Sequence, residues 1–370
     1  MELLSRIFRR SKKVPGTNVD LAAPDVARDP FPHYEKLRRA GAVQRLHKHD
    51  AWIVLGYEEV QYAFAHPEIF SNRPYSDVDA VLLAADPPRH QPVRRIVSRY
   101  FAPEVIEDVC TFAEEMAGTL LGARIDVVRD YAQPLSDAVA ARLLGLDERA
   151  TSDIRAARAE APELGPFTRA LDQIAERATI YERLLGDGVG EEDARSLIRL
   201  LWLAATTTTE RVIARCILRL LQHDEIRRDL QHNPRIEAFV EEVLRLHPGE
   251  LLVPRIALRD AALGNAVIPA NALVHLSIAA ANRDPAKFDD AASLRLDRPP
   301  CRHFTFGSGL HHCIGATLAR RVVTAAVRTL LTLTPRFQAA RTLDSVTYWS
   351  TMTANTVERL VLDTRPPSKP

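Results

Sequence analysis

The run Phe306-Gly-Ser-Gly-Leu-His-His-Cys-Ile-Gly315 limits the fold more than any other stretch of the chain. Gly307 and Gly309, two apart, allow a tight turn with positive φ. Cys313 then stands at the mouth of a predicted helix, Cys313–Leu333. Backbone N–H groups and the helix dipole favour an anion there, so the thiol is expected to ionise below its ordinary range. Gly315 leaves room for a flat, bulky group. Three readings are open at this point: a buried structural cysteine in a glycine turn, a zinc site built from Cys301, His303, His311 and Cys313, or haem iron held by a cysteine thiolate.

Elsewhere the helical period dominates. It predicts helices over Tyr34–Arg39, Glu58–Ala65, Pro92–Phe101, Pro103–Leu121, Asp126–Leu144, Thr168–Leu185, Glu191–Leu221 and Ile236–Leu246. Strand signals at Ala51–Leu55, Arg255–Leu258, Asn265–Ile268, Ala272–Leu276 and Leu360–Leu362 cluster rather than alternate with helices, which disfavours a doubly wound α/β sheet. The chain therefore reads as mainly α with small β-sheets, one domain over residues 17–365. Before it lies a basic amphipathic arm, Met1–Gly16, with Leu3, Leu4, Ile7 and Phe8 on one face, suited to weak contact with a membrane surface or to packing on its own domain. After it lies a loose tail, 366–370. With 49 basic and 48 acidic residues, net +1, bulk charge does not attract nucleic acid. Four cysteines, Cys110, Cys216, Cys301 and Cys313, form no CxxC pair and are too few for a disulfide scaffold. No stretch reads as a signal peptide or a membrane span, so the expectation is a cytoplasmic protein.

The pattern FGxGxHxCxG, filled by Phe306, Gly307, Gly309, His311, Cys313 and Gly315, resembles the haem-binding loop of the cytochrome P450 family, and the resemblance extends over almost the whole chain. Glu242-Val-Leu-Arg245 matches the family's ExxR, and Arg298 its third, structural member. The resemblance implies a cytochrome P450-like fold and haem b with Cys313 as iron ligand. Asp86-Pro-Pro-Arg-His90-Gln-Pro-Val-Arg94 is similar to the family's DPPxHxxxR segment. It implies that His90 and Arg94, with Arg255 and His303, hold the haem propionates.

The long helix departs from the family's Ala-Gly-x-(Asp/Glu)-Thr pattern. Ala204 and Ala205 stand on Ala-Gly and Thr208 on the threonine, but Thr207 occupies the acid position. A hydroxyl relays protons yet is a poor proton source at neutral pH. Glu210 is the nearest carboxylate in sequence, with Arg211 as the expected partner. Four threonines in a row also disfavour a helix. The resemblance assigns oxygen and proton handling to Thr208 and Thr207, and the substrate pocket to Leu82, Leu201, Ala204, Ala205, Leu252, Val253 and Thr351. Short segments between Ser71 and Asp86 and between Gly165 and Glu191 imply a reduced lid.

The activity implied is a haem-thiolate monooxygenase acting on an apolar small molecule, free or carrier-tethered, such as a terpenoid or polyketide of secondary metabolism. A peroxide-driven peroxygenase and a non-catalytic helper protein are the alternatives. The chain carries no GxGxxG or flavin module, so electrons come ultimately from NAD(P)H through a separate ferredoxin and ferredoxin reductase. Arg95, Arg99, Arg302, Arg320 and Arg321 suit a basic docking face for such a partner.

Overall fold

Helices make up most of the computed structural model, which describes residues 16–160, 164–233 and 235–364. In chain order they are α1 (Pro24–Arg28), α2 (Phe31–Ala40), α3 (Tyr57–Ala65), α4 (His90–Ser98), α5 (Pro103–Thr119), α6 (Gln133–Leu144) and α7 (Glu148–Glu160). There follow α8 (Leu164–Ala175), α9 (Thr179–Gly186), α10 (Glu191–Gln222), α11 (Asp224–His232), α12 (Ile236–Leu246), α13 (Ile278–Ala281) and α14 (Ala316–Leu333). Proline opens α1, α2, α5 and α6, where its missing N–H costs no helical bond.

The 32-residue α10 buries residues on nearly every side, polar ones such as Ser196 and Arg215 among them, as a helix running through a core does. It shares one core with α5, α6, α12 and α14, which includes Tyr131, Phe239 and Phe337, and a second with α8 and α9 around Trp202. The threonine run is accommodated because Thr206, Thr207 and Thr208 each donate a hydroxyl proton to the carbonyl four residues back, at 2.9, 2.8 and 2.9 Å.

Strands are β1 (Gly16–Thr17), β2 (Val43–Leu46), β3 (Ala51–Val54), β4 (Phe70–Ser71), β5 (Arg124–Asp126) and β6 (Leu252–Ala257). The remainder are β7 (Ala261–Leu263), β8 (Ala266–Ile268), β9 (Leu273–Ser277), β10 (Gln338–Ala339), β11 (Thr347–Ser350), β12 (Asn355–Arg359) and β13 (Val361–Asp363). One six-stranded sheet, ordered β1-β2-β3-β9-β6-β4, stands beside the helical body, and the other sheets have two or three strands. The mainly helical class with small sheets is thus as predicted.

Three local expectations are corrected. Residues 126–144 are not one helix: Asp126 Oδ1 accepts from the N–H groups of Val128 (2.9 Å) and Arg129 (3.3 Å), capping a π-helical turn, Val127–Ala132, that leads into α6. Residues 168–185 form two helices, because Gly145 O accepts both the N–H and the hydroxyl of Thr179 at 3.0 Å and pins the break. The last helix begins at Ala316 rather than Cys313, which leaves the cysteine in the preceding turn. Of the predicted arm, only Gly16 is described, and it pairs with Arg45 as part of β1; Met1–Pro15 and the tail 366–370 lie outside the described residues. No described helix is long and apolar enough to cross a membrane.

Candidate active site

A cavity of about 300 Å³ lies between α10 and the turn that precedes α14. Its floor is the glycine–cysteine loop. Gly307 and Gly309 adopt φ of 65° and 66°, and a Cβ on Gly309 would stand 2.4 Å from Phe64 O, so the turn needs glycine for both conformation and space. Cys313 N–H closes the loop onto Phe306 O at 2.8 Å. Of the four cysteines, Cys313 alone lines the cavity. The residue is exposed and lines the cavity, while the surrounding protein desolvates its thiol. Burial pushes the thiol above its ordinary range, more than the Gly315 N–H, Arg94 and Arg320 pull it down. That corrects the expected low pKa: with α14 starting three residues later, desolvation outweighs the helix end.

One side of the cavity is cationic. His90, Arg94, Arg255 and His311 all line it. Both ring nitrogens of buried His90, and Nε2 of His311, have no hydrogen-bond partner among the described residues. Arg255, 4% exposed, donates only to the neighbouring Pro254 O at 2.8 Å. Arg94 Nη2 donates to His312 O at 2.6 Å, which ties α4 to the loop. Burial, then the neighbouring His90, Arg255 and Arg94, push His311 down to about 3. Buried donors without acceptors need an anion between them. A flat group carrying two carboxylates, with a metal above Cys313, satisfies that requirement, so these residues fit haem.

His303 does not belong to this set. Its Nδ1 accepts from Thr305 N–H (3.3 Å) and its Nε2 meets Glu241 Oε1 (2.9 Å), and it does not line the cavity. The expectation that His303 faces the haem site is therefore corrected: it does not line the cavity, while His311, a motif residue given no role there, does. The zinc reading also falls, since no group of three His, Cys, Asp or Glu among the described residues is arranged to hold a metal ion.

Behind the loop, the predicted three-membered network is assembled. Arg245 Nε and Nη2 donate to Glu242 Oε1 (2.7 Å) and Oε2 (2.9 Å), and Arg298 Nε donates to Oε1 (3.0 Å). Arg245 Nη1 also holds Asn282 O (2.9 Å) and Ala291 O (2.7 Å). The Asn282 side chain accepts from Phe304 N–H (2.7 Å) and donates to Thr305 Oγ1 (3.0 Å). The network thus reaches the segment that enters the cysteine loop. Burial raises the Glu242 carboxyl, but Arg245, the Arg295 N–H and Arg298 together outweigh it and the net shift is downward.

On the opposite wall, Leu201, Ala204, Ala205 and Thr208 of α10 line the cavity, as do Leu82 and Val253. Thr207 does not; its hydroxyl bonds Leu203 O on another face of the helix. Leu252 and Thr351 are also misplaced in the prediction. Side chains alternate along β6, so Val253 and Arg255 face the cavity while Leu252 packs in the core with Leu46 and Ile53. Thr351 Oγ1 instead accepts from the N–H groups of Thr353 (3.3 Å) and Ala354 (3.1 Å), closing the β11–β12 turn.

The segment between Ser71 and Asp86 is tied down. Buried Asp79 Oδ1 accepts from the N–H groups of Val81 (3.1 Å), Leu82 (2.6 Å) and Leu83 (2.8 Å), while Oδ2 takes the Ser196 hydroxyl of α10 (2.7 Å). Glu210 faces away from the cavity, toward Asp137 and Arg158; burial raises it to about 7. The carboxylate that does line the cavity is Glu250, which the sequence reading missed. Gly249 packs so closely on α10 that a Cβ there would stand 3.1 Å from Thr208 Cβ. Arg211 Nη1 joins Gly249 O (3.0 Å) and Glu250 Oε1 (2.5 Å). Burial raises the Glu250 carboxyl more than Arg211 lowers it.

The fold, the cysteine loop and the cationic cleft define a haem-thiolate protein. A sequence model described as Cytochrome P450 matches residues 185–338. Cytochrome P450 monooxygenase PikC of Streptomyces venezuelae is 30% identical over 367 residues, covering 86% of this chain and 87% of its own. Cytochrome P450 109 of Bacillus spizizenii is 29% identical over 350 residues, covering 84% and 86%. The crystal structure of P450BioI in complex with acyl carrier protein ligated to hexadec-9Z-enoic acid is 26% identical, with a TM-score of 0.83 over 92% of this chain and 100% of that one. The chain belongs to the cytochrome P450 family. It is a P450 monooxygenase, an oxidoreductase that carries haem on a cysteine thiolate and takes its electrons from redox partner proteins.

Proposed function

We propose that this monooxygenase oxidises an apolar small molecule of secondary metabolism, of the terpenoid or polyketide kind, with electrons delivered by a ferredoxin. The observation that carries the reading is the cavity wall: Leu82, Leu201, Ala204, Ala205 and Val253 present aliphatic surface, interrupted by Thr208 and Glu250. The P450BioI structure, with its carrier-bound fatty acyl chain, favours a tethered substrate as the second form to test.

Haem held by a cysteine thiolate supplies the oxidising chemistry when bound. Cys313 is its ligand; the Gly315 N–H, Arg94 and Arg320 all favour the thiolate form. His90, Arg94, Arg255 and His311 hold its carboxylates, and Glu242, Arg245 and Arg298 keep the loop in shape. Thr208 Oγ1 donates to Ala204 O, so its lone pairs remain free to accept from water or substrate in the cavity. Glu250 stands in for the acid absent from position 207: it lines the cavity wall, burial shifts its carboxyl upward, and Arg211 holds and stabilises the carboxylate. The ferredoxin face is weaker than its sequence suggests, because Arg99, Arg320 and Arg321 are matched by Asp187, Glu241 and Glu107 at 2.7, 2.8 and 2.8 Å.

The test is optical titration of the haem-loaded enzyme with a terpene, a macrolide and a free fatty acid, followed by turnover with NADPH, ferredoxin and reductase. A substrate-induced spectral shift and an oxygenated product are expected with the terpene or macrolide. Binding of the fatty acid alone contradicts the assignment, and product formed only with hydrogen peroxide contradicts the ferredoxin requirement.

A further inference from the structure

A second pocket, of about 330 Å³, opens on the far side of α10. Three arginines follow one another along that helix at 211, 215 and 219, each one turn from the next. Arg211 is matched by Glu250, but the other two have no carboxylate within 4 Å among the described residues, and neither have Arg28 or Arg283, which complete the pocket. Arg215, 8% exposed, donates to Asn355 O (3.0 Å) and Oδ1 (2.7 Å) beneath the Tyr348 ring. Arg219 donates to Gln222 Oε1 (2.9 Å), while its buried Nε has no acceptor. Arg283 donates to Leu246 O at 3.1 and 2.8 Å and lies flat on Phe31, 3.5 Å from the ring centre. Asp29 is the one carboxylate in the lining, and it acts on Arg283. His247 completes the rim; burial, then Arg215 and Arg283, hold it neutral, so it adds a donor and no charge.

Four guanidiniums thus converge with one carboxylate between them. Partly buried arginines away from the two pockets are paired, as in Arg199 with Asp172 or Arg158 with Asp137, whereas Arg94 and Arg255, unpaired among the described residues, face the first cavity. Like charges one helical turn apart repel, and buried cations without counter-ions are costly. Burial, reinforced by Arg245, Arg219 and Arg215, pushes Arg283 down to about 9, and burial pushes Arg215 down to about 10. A multivalent anion removes this conflict, and guanidinium forks match the oxygens of a phosphoryl group. Phe31 and Tyr348 flank the opening with ring surface.

We propose that this pocket binds a phosphoryl group, as inorganic phosphate or a phosphate monoester, at a site separate from the haem cavity. The experiment is thermal melting of the haem-loaded protein in inorganic phosphate against chloride at equal ionic strength. A saturable rise of about 2 °C at ten times the dissociation constant is expected with phosphate and not with chloride. Arg219→Gln should leave melting in chloride unchanged or higher, since it relieves repulsion, and weaken phosphate binding at least tenfold. Arg28→Gln, on the exposed rim, gives the same readout if the first variant does not fold, and Arg39→Gln, 80% exposed on α2, should keep the full response. Pelleting with vesicles of phosphatidic acid in phosphatidylcholine, lost in Arg219→Gln, identifies the phosphoryl group as a lipid headgroup; phosphate binding without pelleting identifies a soluble ligand. Equal shifts in phosphate and chloride, or an undiminished response in both variants, would overturn the proposal.

Discussion

Replacing Arg298 with methionine isolates the network that supports the cysteine loop. The side chain is 8% exposed, and its methylene volume is largely kept. The change removes the 3.0 Å bond to Glu242 Oε1 and the bonds to Asp289 O (2.6 Å), Asp290 O (3.2 Å) and Ser293 O (3.3 Å). Glu242 retains both Arg245 bonds, and the three carbonyl contacts are solvent-exposed, so the cost is that of one charge-assisted bond, about 1.5–3 kcal/mol, plus about 1 kcal/mol for the three carbonyls together. A loss near 3 kcal/mol is a large fraction of the 5–15 kcal/mol typical of a folded protein. Arg245→Leu should be worse, because it also strips the buried carbonyls of Asn282 and Ala291. Urea unfolding followed by the fluorescence of the buried Trp52 and Trp202 measures the loss. The Glu242→Gln, Arg298→Met cycle should show coupling of about 1–2 kcal/mol. A loss under about 1 kcal/mol with additive single effects would refute the reasoning.

Glu241 supplies a pH signature. Burial alone would raise its carboxyl, but Arg320 and His303 hold it at about 2, below the ordinary 4.5. A depressed folded value gives stability that is complete above 4.5 and lost as pH falls from there toward 2; Glu241→Gln should flatten that part of the acid unfolding profile. His311→Phe should weaken haem binding roughly 10–100-fold, as expected for one lost charged hydrogen bond, while His303→Phe leaves haem affinity near wild type and lowers acid stability; haem transfer to apomyoglobin separates the two. Thr208→Ala should lower product formed per NADPH consumed by several-fold, while Thr207→Ala, off the cavity, should not; equal effects would show that both hydroxyls reach it.

The cysteine loop and the Glu242–Arg245–Arg298 network were legible because their residues are fixed by local spacing and by a family pattern. Where a role depends on a side chain's direction, spacing was not enough. His303 and His311 flank the same loop, and only the contact of the former with Glu241, itself held by Arg320, decides which one faces the cavity. Leu252 was recoverable, since alternation along β6 from Arg255 places it in the core. Glu250 was not: it follows Pro248-Gly249 outside any periodic segment, and its partner Arg211 lies on another helix. The cysteine's raised pKa likewise follows from enclosure by distant parts of the chain, which the helix-end argument does not contain.

Every role assigned around the cavity depends on Cys313 as the thiolate ligand of haem. The direct measurement is the absorption spectrum of the reduced, carbon monoxide-bound, haem-loaded protein, taken beside Cys313→Ser. The wild type should show the red-shifted Soret band of thiolate ligation, and the variant should lose it. A histidine-type band in the wild type, or a red-shifted band that survives in Cys313→Ser, would contradict the assignment.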